Sequence, residues 1–220
     1  MSGMSEDPPT RTGSPLGLSR RRFLKGVGVA AVAADTILAR AAQGAEPAAE
    51  ANPAALNTVI SGEVKVTLQV NGQPRAVSVE PRTTLLNALR DRLDPAITGP
   101  KLVCNAATCG ACTVLLNGKP VFGCSVLAID AVGKEVTTVE GLGTPEKLSP
   151  VQAAFVEHDA MMCGFCTPGF VTTISALLRE NPHPSEMQVR EACKGNFCRC
   201  GTYPHVFKAA MAAAAAQSPK

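Results

Sequence analysis

Val64-Lys65-Val66-Thr67-Leu68-Gln69-Val70 alternates apolar and polar side chains with period two, the pattern of a half-buried strand. Asn71-Gly72 follows as a hairpin signal, and Val77 and Val79 carry the returning strand. The period then changes. Thr83 or Thr84 can cap a short helix whose Leu85, Leu86, Leu89 and Leu93 share one face. Further on, Thr113 to Leu116 reads as a strand, Asn117-Gly118 as a second hairpin turn, and Val121-Phe122 as its return. Val136 to Val139 is the last strand expected. A hairpin, a helix and more strands predict an α+β domain over residues 61–145.

From about residue 146 the pattern is helical. Ser149-Pro150-Val151-Gln152 combines an N-cap serine, a proline at the first helical position and glutamine at the third. It predicts a helix through Ala153, Phe155 and Val156. Pro168 begins a second helix with Val171, Ile174, Leu177 and Leu178, stopped by Asn181-Pro182. Ser185 and Gln188 repeat the capping box and open a short helix to about Cys193. An alanine-rich helix follows Pro204. Residues 146–216 are therefore expected to form an all-α domain of four helices.

Charge adds little until it is divided along the chain. The formal net charge is +3, but residues 1–41 hold six Lys/Arg against three Asp/Glu, and the remainder is balanced. The folded part thus has no basic surface of the kind that binds nucleic acid. Ser19-Arg20-Arg21-Arg22-Phe23-Leu24-Lys25 resembles a twin-arginine export signal. The apolar run Gly26 to Ala34 is too short for a stable membrane span and suits a signal core. Ala39-Arg40-Ala41 is a cleavage candidate. Residues 1–41 are read as the signal region and 42–60 as a linker. The resemblance implies the twin-arginine export machinery as a partner and a periplasmic protein exported already folded.

The chemistry lies in the cysteines. All nine fall between residues 104 and 200. Cys104, Cys109, Cys112 and Cys124 form C-x4-C-x2-C-x11-C, and the first three match the plant-type ferredoxin spacing for a [2Fe-2S] cluster. A tight loop presents three thiolates to one side of the cluster, and the fourth must arrive from a neighbouring segment. Gly110 is read as the point where backbone approaches the sulfides, since it has no Cβ to clash. Disulfides and a zinc site are the alternatives. Zinc commonly takes two close cysteine pairs, which the x4-x2 triplet fits badly. A second set, Cys163, Cys166, Cys198 and Cys200, reads C-x2-C-x31-C-x1-C. Its CxxC alone is weak, and the later CxC narrows it. Cys193 is left over and reads as a buried thiol. Met161-Met162 reads as packing, and His158, His183 and His205 stand alone.

Both sets, in this order, resemble the iron–sulfur subunit of molybdenum hydroxylases, the xanthine dehydrogenase and aldehyde oxidoreductase family. The likeness runs over about residues 62–212. It is carried by Lys101 to Val114, Val139-Glu140-Gly141-Leu142-Gly143, Pro150 to Phe155, Cys163-Gly164-Phe165-Cys166-Thr167-Pro168-Gly169 and Gly195 to Tyr203. It implies a β-grasp, ferredoxin-like first domain, a helical second domain and two [2Fe-2S] clusters held by the eight cysteines. It implies no catalytic residue in this chain. A large partner subunit would carry the molybdopterin cofactor, with Cys200 beside the pterin. A FAD-binding subunit or a cytochrome c would accept the electrons. The implied substrate is an aldehyde, and an N-heterocycle is the alternative. The family usually has glycine at the position of Ala107, and often glutamine at Met162. Methionine cannot make the hydrogen bond that glutamine makes to the pterin. A freestanding ferredoxin-like carrier is a rival, as is a zinc-stapled structural protein.

Overall fold

The computed structural model describes residues 61–217, all within one compact unit. The signal region and the linker lie outside the described residues. Five strands form one mixed sheet: β1 (Val64–Val70), β2 (Gln73–Val79), β3 (Thr113–Leu116), β4 (Lys119–Phe122) and β5 (Glu135–Thr137), in the order β2-β1-β5-β3-β4. The β1–β5 pair is parallel and the other pairs are antiparallel. Both hairpins close on Asn-Gly. Asn71 and Gly72 have φ of 53° and 75°, and Asn117 and Gly118 have 49° and 80°. That left-handed pair is what a two-residue hairpin between right-twisted strands requires.

Alternation along β1 and β2 turns Leu68, Val70, Val77 and Val79 to one face of the sheet, where Val114 and Val136 join them in the core. Helix α1 (Leu85–Asn87), capped by the Thr84 hydroxyl, runs on as a wide turn over Ala88–Arg92. The Leu93 amide reaches back to the Ala88 carbonyl at 3.2 Å. The wide turn keeps Leu93 inward with Leu85 and Leu89, although the helix itself is shorter than the apolar pattern implies.

The last strand ends two residues earlier than expected. Asn71 Oδ1 accepts the Thr138 N–H at 2.8 Å, and Asn71 Nδ2 donates to Thr138 Oγ1 at 3.0 Å. This clamp satisfies the backbone away from the ladder, and Val139–Gly141 turns as a single 3-10 turn. Val139 and Leu142 already pack against the second core.

That second core belongs to α2 (Pro150–Glu157), α3 (Thr167–Glu180), α4 (Glu186–Ala192) and α5 (Tyr203–Gln217). Both capping boxes form as read, Ser149 with Gln152 and Ser185 with Gln188. Helix α3 is central. It packs on β3 and β4 and also touches the other three helices. Phe170, Val171, Thr172, Thr173, Ile174, Ala176 and Leu178 are accordingly all buried. Ala209, Ala210, Ala213 and Ala214 let α5 lie close against its neighbours.

Candidate metal centres

The loop before β3 presents Cys104, Cys109 and Cys112. The β3–β4 hairpin brings Cys124 to them: Thr113 pairs with Phe122, and the Gly123 amide donates to the Cys112 carbonyl at 3.1 Å. The thiols meet in two pairs, Cys104 with Cys109 and Cys112 with Cys124, with Cys109 and Cys112 close enough to repel when charged. Asn105, Ala107 and Gly110 have φ of 50°, 53° and 68°. These left-handed turns point successive amides inward, an anion-binding concavity. The Ala106 amide lies 3.4 Å from Cys104 Sγ, and the Ala107 amide 3.4 Å from Cys124 Sγ. The Thr108 hydroxyl, with the Thr108 and Ala106 amides, holds the Cys104 thiol down at about 6. Burial pushes Cys112 up to about 12.

Cys163 and Cys166 stand on the turn into α3, bent by Gly164 at φ 82°. Cys198 and Cys200 stand on the turn into α5, bent by Gly201 at φ 82°. The pairs here are Cys166 with Cys198 and Cys163 with Cys200. Burial, and then the neighbouring Cys198, push Cys166 up to about 12. Burial also raises Cys198, but the Thr202 hydroxyl and amide outweigh it and leave that thiol at about 7. The Cys198 amide donates to Tyr203 Oη at 2.8 Å, and Tyr203 meets Phe170 edge-on at 5.9 Å. An aromatic at the head of α5 thereby pins the CxC turn.

Each quartet could hold a binuclear cluster. Such a cluster takes two thiolates per iron, and both quartets divide two and two. Among the described residues no three His, Cys, Asp or Glu side chains converge as they would on a single ion. The donor groups suit a negatively charged cluster, with amides and hydroxyls aimed at sulfur. The buried Thr167 Oγ1, beside Cys166, has no hydrogen-bond partner among the described residues. Cys193 is 3% exposed, and burial alone pushes it up to about 12, with no second thiol contributing.

The quartets adjoin each other. Cys109, Cys163 and Cys166 line a common cleft of about 150 Å³ with Val103, Phe165 and Phe197. The Cys109 carbonyl accepts the Phe197 amide at 2.9 Å, one residue from Cys198. Buried Asn196 donates to the Gly110 carbonyl at 3.1 Å and to Thr113 Oγ1 at 3.4 Å, and accepts from the Thr173 hydroxyl at 3.0 Å. A Cβ on Gly110 would lie 2.5 Å from Asn196 Nδ2 and from the Gly195 carbonyl. Gly110 is thus also held bare by the helical half of the chain, in addition to its place in the cysteine loop. A Cβ on Gly169 would lie 2.2 Å from the Gly110 carbonyl. Met161 and Met162, expected to pack, are exposed, as are Leu102, Val103, Phe165 and Phe197.

Two family models match the chain, a 2Fe-2S iron–sulfur cluster binding domain over residues 68–136 and a [2Fe-2S] binding domain over residues 138–211. The aldehyde oxidoreductase iron–sulfur-binding subunit PaoA of Escherichia coli O157:H7 is 38% identical over 213 residues, covering 88% of this chain and 87% of its own. The nicotine 6-hydroxylase small subunit of Paenarthrobacter nicotinovorans is 43% identical, covering 69% of this chain and 90% of its own. The chain belongs to the iron–sulfur small subunits of the molybdenum hydroxylases. The crystal structure of quinoline 2-oxidoreductase from Pseudomonas putida 86 superposes with a TM-score of 0.67 at 42% identity, over 71% of this chain and 96% of that one. In the aldehyde oxidoreductase from Desulfovibrio gigas the matching part is 18% of a longer chain, with a TM-score of 0.66 at 38% identity. This small subunit thus binds two [2Fe-2S] clusters, and its role in a molybdenum-dependent oxidoreductase is electron transfer. Asn196, Thr108 and Thr202 escaped the sequence reading. The available signal for the two threonines was local: each stands four residues after a cysteine, Cys104 or Cys198.

Proposed function

We propose that Cys104, Cys109, Cys112 and Cys124 hold one cluster, and that Cys163, Cys166, Cys198 and Cys200 hold the other. The observation that carries this is the two-plus-two pairing of thiols in both quartets, on either side of one small cleft. When bound, the clusters supply one-electron carriers between an acceptor and the molybdopterin cofactor of a large subunit. The residues of this chain position them, donate hydrogen bonds to sulfur and exclude water. The helical-half centre is the inner one, facing the molybdopterin. Cys163 and Cys200 reach the surface there, among Met161, Met162 and Phe165. Met162 leaves pterin recognition at that point to other groups. The ferredoxin-like centre is the outer one, serving a FAD-binding subunit or a cytochrome c.

The substrate is an aldehyde. The match to the aldehyde oxidoreductase subunits spans 88% of the chain, more than residues 61–220 alone supply, whereas the nicotine 6-hydroxylase match spans 69%. The run Ser19-Arg20-Arg21-Arg22-Phe23-Leu24-Lys25, followed by a short apolar stretch, supports the reading of residues 1–41 as a twin-arginine signal and a periplasmic location. Iron and acid-labile sulfide analysis tests the ligand assignment. The purified complex should carry about four irons and four sulfides in this chain, with two paramagnetic signals on reduction. A single signal with half that iron refutes it. Replacing Arg20 and Arg21 by Lys should retain cluster-loaded protein in the cytoplasm, and an unchanged periplasmic yield refutes the export reading.

A further inference from the structure

Thr202 stands between the CxC turn and α5, 5% exposed, with its Oγ1 3.0 Å from Cys198 Sγ. In a free thiol either atom could donate. A cysteine bound to iron has lost its proton, so with Cys198 as a ligand the hydroxyl is the donor. The backbone holds the hydroxyl in place. The Thr202 carbonyl accepts the Val206 amide at 3.0 Å, and the adjoining Tyr203 hydroxyl accepts the Cys198 amide at 2.8 Å. Sulfur and hydroxyl are thus fixed by neighbouring links of one short turn, out of water. A donor aimed at a ligating sulfur favours the more negative state, and one-electron reduction adds one negative charge.

We propose that Thr202 is a positioning residue for electron transfer, whose hydroxyl raises the reduction potential of the centre held by Cys163, Cys166, Cys198 and Cys200. The inference rests on the ligand assignment above. The other quartet has its own counterpart: the Thr108 hydroxyl stands beside Cys104 at the same four-residue offset and favours its thiolate. Each hydroxyl then adds to the potential of its own centre, beside the amides and the burial that also act there. Removing one shifts it without touching a ligand.

The test is a redox titration of the intact complex, following the paramagnetic signal of each reduced centre, with iron and sulfide measured in every sample. Thr202→Val should lower one centre alone. At fixed ambient potential its reduced-to-oxidised ratio should fall roughly tenfold, about 59 mV for one electron. Thr202→Ser, which keeps the hydroxyl, should leave both potentials in place. Thr108→Val should move the other centre. Four irons with unmoved potentials in Thr202→Val overturns the proposal and leaves the ligand assignment standing. Equal shifts in the Ser and Val variants also overturn it. Loss of a cluster from both Thr202→Val and Thr202→Ala assigns the residue to assembly and overturns it too. A wild-type complex with only two irons overturns the ligand assignment instead.

Discussion

The ferredoxin-like half buries two of its four thiols and half-buries the others, whereas the helical half brings two of its four to the surface. Cys112 and Cys124 are buried against Leu86, and the loop around them is fixed by left-handed residues and inward amides. Cys163 and Cys200 are exposed, beside an apolar fringe of Met161, Met162, Phe165 and Phe197. Only Cys198 on that side is fully covered, by Thr202 and Tyr203. The contrast has a physical reading. A loop on a sheet can enclose a charged group by aiming its own amides at it. Two helix-leading turns enclose only one side, and the other is left for a partner surface. The first centre is thus the more enclosed of the two, and the second the more open.

The most severe way to break this comparison is to remove one ligand on each side. In the assembled complex, Cys166→Ser should cost about two irons and stop substrate electrons from reaching the remaining centre. Cys109→Ser should cost the same iron, yet leave the inner centre reducible by substrate while reduction of the external acceptor stops. Rapid-freeze spectroscopy after mixing with substrate separates the two. Normal reduction of the outer centre in the Cys166 variant means that the centres do not act in series in the order proposed.

The next effect concerns the seam that makes the halves one unit. Asn196→Ala leaves the buried Thr173 hydroxyl without its acceptor and takes one donor from the Gly110 carbonyl, which keeps the Thr113 amide and hydroxyl, and should destabilise the protein by about 2 kcal/mol. Denaturant unfolding of the cluster-loaded protein measures this. A change below about 0.5 kcal/mol, the size of an ordinary surface substitution, would mean that the seam is held by packing alone.

Cys193 sharpens the comparison as a buried thiol belonging to neither set. Cys193→Ser should keep both clusters and cost about 2 kcal/mol, from burying a hydroxyl without an assigned partner. Loss of either paramagnetic signal would put Cys193 among the ligands. Its pH signature has a definite sign. Burial raises its folded value from 9.0 to about 12, so the unfolded chain ionises first. Its contribution to stability is whole below about 9 and is lost as the pH rises towards 12. Cys193→Ala should flatten the pH dependence of stability in that window.

The smallest effect lies in the sheltered loop. Ala107 holds φ at 53°, a conformation that glycine adopts without a Cβ penalty. Ala107→Gly should therefore stabilise the loop by about 1 kcal/mol and preserve the Ala107 amide contact to Cys124. Thermal unfolding tests it, and a loss of stability would mean that the alanine methyl contributes more by packing on Leu86 and the buried thiols than it costs in strain.

Much of this was legible along the chain because its causes are local. An Asn-Gly pair turns a hairpin through the φ values of two residues. A capping box needs a serine and a glutamine three apart, as at Ser149 and Ser185. The cysteine spacing reports a loop whose three thiols are near one another whatever the rest of the chain does. Where the reading slipped, the cause was distant in sequence. Asn71 shortens β5 from 67 residues away through Thr138. Gly110 keeps its place in the cysteine loop but also meets Gly195 and Asn196, neighbours that a local reading does not supply.

By itself the sequence determined which elements form and which residues could bind iron, since period, caps, turns and thiol spacing act within a few residues. Only the tertiary structure decided how the two halves meet. It divided each quartet into pairs, set both against one cleft, and linked the Cys109 carbonyl to the Phe197 amide. It also turned Met161, Met162 and Phe165 outward and buried Asn196. Those outcomes depend on bringing a β-strand loop and two helix-leading turns to the same place. Close packing of α3 on β3, with glycine at positions 110 and 169 where the two halves approach most closely, supplies that constraint. No short stretch of the chain contains it.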